Sequence, residues 1–223
     1  MTNAPIPTKK ARTEGRLYRA ARALLGWLGA LLWPTTVEGD AHVPRPGGAI
    51  IAANHISFFD SVALVLAARR RVGFVGKAEY LDNWKTRRLF PALGMIPMER
   101  DGRRQAFRAL SDAAKVIESG ELFAIYPEGT RSRDGKLHPG HQGVGHLALA
   151  TGAPVIPTGI TGTDRVQPPG VRIPRPFRRI VVRFGAPIDP ARFGGGRLDR
   201  RRQITDEVMT AIQRLSGQEF AAS

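Results

Sequence analysis

Asn54, His55, Ser57 and Asp60 stand within one short run, Asn-His-Ile-Ser-Phe-Phe-Asp. A histidine with a carboxylate at this range is the pairing of a general base with the acid that orients it, and its chemistry is to draw a proton from a hydroxyl. Within a single helix His55 and Asp60 would point well apart, because five positions do not close a whole number of turns. The apolar run from Gly48 to Ala53 is short and bounded by Pro and Gly, and it reads as a buried strand. Phe58 to Ala68 reads as a helix, with Ser57 as its N-cap and Asp60 in its first turn. His55 then ends the strand, and the turn between strand and helix lets the pair meet. A plainer reading uses the same residues: Ser57 with Asp60 is an S-x-x-D arrangement, in which Ser57 is a structural cap and no chemistry is required.

Other segments offer complementary groups. Leu122 to Tyr126 is a second short apolar strand that runs into Pro127-Glu128-Gly129-Thr130-Arg131-Ser132. Backbone N–H groups, hydroxyls and a guanidinium in such a turn suit a tetrahedral oxyanion such as phosphate, while the plain alternative is a capped surface turn. Gly94 to Met98 ends at Glu99-Arg100, and Asp101-Gly102 reads as the turn that closes it; Arg100 is a candidate second phosphate contact. Lys77, after the apolar Val72 to Gly76, is a candidate contact for a donor substrate or a developing oxyanion, against the simpler role of a solvated lysine. Val155 to Gly159 reads as a further strand after an alanine-rich helix around Gly143 to Thr151.

The elements that must carry these groups suggest one α/β domain. Strands are expected near Ala49–Ala53, Val72–Val75, Met95–Met98, Leu122–Tyr126, Val155–Gly159 and Ile180–Phe184, in a central mixed sheet flanked by helices. The site is expected where strands end and helices begin. A last helix around Leu198 to Leu215 presents Ile204, Val208, Ile212 and Leu215 on one face. A length of 223 residues suits one such core. The absence of cysteine excludes disulfides, thiolate metal sites and a cysteine nucleophile, and the five histidines show no metal-ligand spacing. Thirty-four Lys and Arg against nineteen Asp and Glu leave a formal charge of +15, which favours an anionic partner or substrate.

Part of that charge precedes the domain. Leu17, Ala21, Leu24, Leu25, Leu28, Leu31 and Leu32 recur at helical spacing, with Arg12, Arg16 and Arg19 on another face. The uninterrupted apolar part, Ala23 to Trp33, is shorter than the roughly 20 residues of a spanning helix, and Pro34 stops it. Residues 1–36 are therefore expected to form a basic amphipathic segment that lies on a bilayer, with the domain proper at 37–223. There Trp27 and Trp33 would sit at the headgroup boundary, and each arginine would contribute about 1 kcal/mol against anionic lipid.

Read in order, NHISFFD, GMIPMER, YPEGTRS and VIPT resemble the four blocks of the glycerolipid acyltransferase family that includes 1-acyl-glycerol-3-phosphate acyltransferases. The resemblance runs from about Val37 to Gly185. Ile56 stands where Gln is common, Tyr126 where Phe is common, and Thr158 where an aliphatic residue is common. The resemblance implies that His55 is the general base, that Asp60 holds its tautomer, and that Glu128, Gly129, Thr130 and Arg131, with Arg100, bind the phosphate of the acceptor. It further implies acyl transfer from acyl-CoA or acyl carrier protein, as co-substrate, to the hydroxyl of a lysolipid, giving phosphatidic acid when the acceptor is 1-acyl-glycerol-3-phosphate. Another lysophospholipid or an amino-acid-linked lipid is the alternative acceptor. No bound cofactor or metal is expected, and the location implied is peripheral or monotopic on the cytoplasmic face of the cell membrane.

Two other classes make opposite predictions. A serine hydrolase using Ser57 would form an acyl-enzyme, yet no Gly-x-Ser-x-Gly elbow is present. A basic protein without catalytic function would bind nucleic acid or membrane, but the chain has 7% aromatics and no basic-aromatic interleaving, so nucleic acid is not expected as a partner.

Overall fold

The computed structural model describes residues 31–77, 94–98, 102–168, 170–171 and 173–222, together with Ala23, Gly26, Trp27 and Gly29. Arg100, and Arg12, Arg16 and Arg19 of the N-terminal segment, lie outside the described residues. Seven strands are present among them: β1 (Thr35–Glu38), β2 (Ala49–Ala53), β3 (Val72–Lys77), β4 (Met95–Met98), β5 (Leu122–Ile125), β6 (Val155–Thr161) and β7 (Ile180–Phe184). The helices are α1 (Phe59–Ala67), α2 (Gly102–Glu118), α3 (Gly143–Thr151), the single turn α4 (Thr163–Val166) and α5 (Arg197–Ser216).

The strands form one sheet in the order β1-β7-β6-β2-β5-β3-β4. Every pairing is parallel except β6 with β7, so the sheet is mixed, as expected. The central strand β2 is buried at all five positions, which explains why it reads as an unbroken apolar run and not as an alternation. Its side chains still divide by parity. Ala49, Ile51 and Ala53 join α1 residues Phe59, Ala63 and Leu64 on one face. Ile50 and Ala52 join Ala113 and Ile117 of α2, Leu147 of α3, and Ile204, Val208 and Ile212 of α5 on the other. The result is a three-layer α/β/α arrangement.

Two expectations need correction. The sheet begins at Thr35, inside the segment expected to precede the domain. This edge strand, Thr-Thr-Val-Glu, alternates half-buried with exposed positions and offers no apolar run to reveal it. Gly102, expected in a turn with Asp101, opens the 17-residue α2, while Asp101 lies outside the described residues. Ser57 caps α1: Phe58 already has helical dihedrals and no side-chain cap of its own, and the Ser57 N–H donates to Asp60 Oδ2 three residues on at 2.8 Å, the reciprocal contact of an S-x-x-D cap. Its Oγ accepts from the Phe59 N–H at 3.2 Å and donates to the Gln167 carbonyl at 3.0 Å. Asp60 turns back on the chain and supplies the acceptor for the preceding amides.

The topology dictates where chemistry is possible. β2 and β5 are adjacent and parallel, but the chain leaving β2 runs through α1 to β3, beyond β5, whereas the chain leaving β5 runs through α3 to β6, on the other side of β2. Connections that diverge in this way open a crevice at the carboxyl ends of the two strands. His55 follows β2 and residues 127–132 follow β5, so both candidate segments emerge at this crevice.

Candidate active site

Asn54 builds the platform. Fully buried, it donates to the Ile160 carbonyl at 2.9 Å and accepts from the Ile160 N–H at 2.7 Å, so its side chain continues the ladder between β2 and β6 while the backbone turns away. That turn releases His55. Its carbonyl accepts from the Ser132 N–H at 2.7 Å and its N–H donates to Glu128 Oε1 at 3.2 Å, so the turn after β5 grips the histidine by its backbone.

The His55 ring meets Asp60, with Nδ1 and Oδ2 2.8 Å apart. The same Oδ2 accepts the N–H groups of Ile56 and Ser57, each at 2.8 Å, and Oδ1 accepts the Thr163 hydroxyl at 2.5 Å. An oxygen already receiving two N–H groups serves the imidazole as an acceptor, so Nδ1 carries the hydrogen and Nε2 keeps its lone pair. Asp60 is fully buried, while the His55 side chain keeps 18% of its exposure. Tyr126 fixes the ring plane by stacking on it, with centroids 3.9 Å apart and planes 11° apart. Its hydroxyl bonds Ser61 at 2.8 Å. Burial above all, and then the Asp60 charge, push the Tyr126 phenol far up, so it stays neutral.

The turn after β5 divides its residues between two tasks. Glu128 is buried and faces inward, its Oε1 held by the His55 N–H and its Oε2 accepting the His138 N–H at 3.0 Å. Burial raises its pKa, and the two backbone donors oppose that shift. With both oxygens engaged, Glu128 ties the turn to His55. Gly129, Thr130 and Arg131 are exposed at its tip. Gly129 has φ +69°, and a Cβ there would come within 3.0 Å of the His141 ring, so only glycine fits without displacement. Ser132 is buried again and donates to Asp134 at 3.0 Å. Asp134 also accepts from the Lys136 N–H and pairs with His138, and these contacts hold its carboxyl down at about 2.

Lys77 is the last residue of β3, opposite Met98, at the same carboxyl edge; its side chain lies outside the described residues. Ser57 has its hydroxyl hydrogen committed to Gln167, away from His55. Among the described residues no three His, Asp or Glu side chains converge as a metal site requires.

Thr163 is the residue the sequence did not reveal. It is fully buried, and Gly162, with φ +88°, turns the chain out of β6 so that Thr163 opens α4 facing Asp60. The one available signal was a hydroxyl just past the end of a central strand. Chemically the group can draw a proton through His55 Nε2, with Asp60, held by four donors, to orient the ring and an arginine-bearing turn joined to the histidine through Glu128.

Similarity to known proteins follows the same residues. The family model described as Acyltransferase matches residues 34–161, more than half of the chain. A 1-acyl-sn-glycerol-3-phosphate acyltransferase of Limnanthes douglasii is 32% identical over 194 residues, covering 83% of this chain and 64% of that protein. One of Escherichia coli is 26% identical over 193 residues, covering 86% of this chain and 75% of that protein. The chain thus spans less than two thirds of the length of its plant relatives. The crystal structure of the 1-acyl-sn-glycerophosphate acyltransferase PlsC from Thermotoga maritima superimposes with a TM-score of 0.70 at 26% identity, over 96% of this chain and 84% of that one.

Proposed function

The chain belongs to the acyltransferase family, and on that premise we propose that it moves a fatty acyl chain from a thioester to the free hydroxyl of 1-acyl-glycerol-3-phosphate, giving phosphatidic acid. The observation that carries this reading is the Nδ1–Oδ2 contact of His55 with Asp60, which leaves Nε2 as the free base beside an arginine-bearing turn. Nε2 takes the proton of the acceptor hydroxyl as that oxygen attacks the thioester carbonyl. Asp60 stabilises the imidazolium that forms, without taking the proton itself. The tetrahedral intermediate collapses with loss of the C–S bond, and the imidazolium returns the proton to the departing thiolate. The products are an ester and a free thiol, from acyl-CoA or acyl carrier protein.

Transfer is direct, since the Ser57 hydroxyl is turned toward Gln167. A thioester is already activated, so the step calls for no metal or resident cofactor. Gly129, Thr130 and Arg131, with Arg100 and Lys77 as further cations, receive the acceptor phosphate and the developing oxyanion, while Glu128 holds the turn against His55. Anchoring the phosphate fixes the hydroxyl next to Nε2, and such positioning lowers a barrier by several kcal/mol. The names of the Limnanthes and Escherichia relatives support this acceptor. No helix among the described residues is long and apolar enough to cross a membrane. The N-terminal helix is read as lying on the cytoplasmic surface of the bilayer, where the acceptor partitions.

The test is acyl transfer by detergent-dispersed protein from oleoyl-CoA, and separately from oleoyl acyl carrier protein, to lysophosphatidic acid. Formation of phosphatidic acid, abolished by His55→Ala, is expected. Transfer only to phosphate-free acceptors would defeat the phosphate role of the turn, and an active His55→Ala variant would defeat the mechanism.

A further inference from the structure

Four of the large apolar side chains that stand exposed belong to two segments remote in sequence: Trp27 at 68% and Leu31 at 59%, and Ile173 at 79% and Phe177 at 72%. The segments are tied together. The Phe177 N–H donates to the Leu32 carbonyl at 2.6 Å, and Trp33 Nε1 donates to the Arg175 carbonyl at 2.8 Å. Trp27 and Leu31, one helical turn apart, share a face, while Gly29 between them is buried and backs onto Leu66 of α1. Trp27 and Leu31 therefore point away from the domain. Phe177 adopts φ +59°, a conformation that a bulky side chain rarely takes, and it holds the phenyl ring in solvent.

Cationic side chains share the segment with these apolar tips. Arg175, Arg178 and Arg179 are exposed, as is Arg165 on α4, and no carboxylate among the described residues pairs with any of them. Exposed apolar tips beside exposed arginines match the chemistry of an anionic bilayer, whose headgroups take the arginines and whose acyl boundary takes the aromatic rings. A protein partner of ordinary composition matches only the apolar half of this pattern.

We propose that the segment 173–179 is a second membrane-docking element, which with the outer face of the N-terminal helix forms one surface for anionic lipid. This rests on the membrane association proposed above and adds a contact remote from the N-terminal segment. The consequence for the site is direct. The Arg175 N–H donates to the Val166 carbonyl at 2.7 Å, so the segment hangs from the helical turn whose Thr163 holds Asp60. A bilayer bound at Ile173 and Phe177 lies next to the element that orients the dyad, which brings the acceptor to the site without leaving the membrane surface.

Flotation of the full chain with vesicles of phosphatidylcholine alone, and of phosphatidylcholine with phosphatidylglycerol, tests this. The wild type is expected to float with the anionic vesicles. Ile173→Asp with Phe177→Asp is expected to weaken that binding at least tenfold. Arg178→Gln with Arg179→Gln should weaken it about 25-fold on anionic vesicles, at about fivefold per arginine, and little on neutral ones. Phe177→Gly suits the positive φ, so it should melt no earlier than the wild type while still binding more weakly; this variant separates docking from folding. Wild-type binding that all three sets of substitutions leave unchanged overturns the second element but spares the N-terminal helix. A wild type that floats with neither vesicle overturns both. Substitutions that dissociate a dimer in light scattering, with vesicle binding intact, assign the patch to a second copy of the chain and overturn the proposal.

Discussion

Replacing Thr163 by valine removes one hydroxyl and keeps the branched shape. Asp60 Oδ2 has three donors, His55 Nδ1 and two backbone amides, whereas the hydrogen bond on Oδ1 comes from Thr163. The substitution therefore strips one oxygen of a fully buried carboxylate of this bond and frees the carboxylate to rotate away from the imidazole. Hydrogen bonds to charged groups contribute about 1.5–3 kcal/mol net. If the transition state, where the imidazolium needs its counter-ion most, feels that loss in full, kcat falls by about tenfold to a hundredfold. Thr163 is fully buried and cannot touch a substrate, so the KM of the acceptor should stay within about twofold. Thr163→Ser keeps the hydroxyl and leaves a methyl-sized gap, at a cost of about 1 kcal/mol in stability and little in kcat. Steady-state acylation at varied lysophosphatidic acid, with urea unfolding of each variant, reads both quantities. If the valine variant loses stability but keeps its kcat, or the serine variant falls as far in kcat as the valine variant, Thr163 serves packing alone and the reasoning fails.

Tyr126→Phe retains the ring on His55 and loses the bond to Ser61, so kcat should stay within about threefold while stability drops by about 1 kcal/mol. A hundredfold loss of kcat would instead implicate the phenol in proton transfer. Gly129→Ala forces a Cβ against His141 at positive φ, and is expected to lower the melting temperature and raise the acceptor KM; an unchanged KM removes the turn from phosphate binding. Asp134, held down by the Lys136 amide, His138 and Ser132, binds its proton less readily folded than unfolded. The stability it lends is thus present above its ordinary value of 3.8 and is lost as pH falls toward about 2. A carboxyl carbon titration by NMR should show a midpoint near 2, and a midpoint near 4 contradicts the contacts described.

What the amino-acid sequence determined by itself is local. β2, β5 and β6 are legible because each is a short apolar run bounded by Gly, Pro or polar residues, and the His55–Asp60 pair is legible because a single turn joins its members. β1 was not, since a half-exposed edge strand lacks an apolar signature. The start of α1 is legible too, because Ser57 and Asp60, three positions apart, each accept an N–H there, Ser57 Oγ that of Phe59 and Asp60 Oδ2 that of Ser57. Tertiary structure alone decided that β5 inserts beside β2, bringing Tyr126 onto the imidazole and Glu128 under its backbone. It alone decided that Thr163, 103 positions from Asp60, closes the carboxylate's hydrogen bonding. The physical reason is range. Propensity, periodicity and capping act over a few residues and leave their mark in sequence, whereas strand order and buried polar contacts arise from burying both faces of a sheet at once.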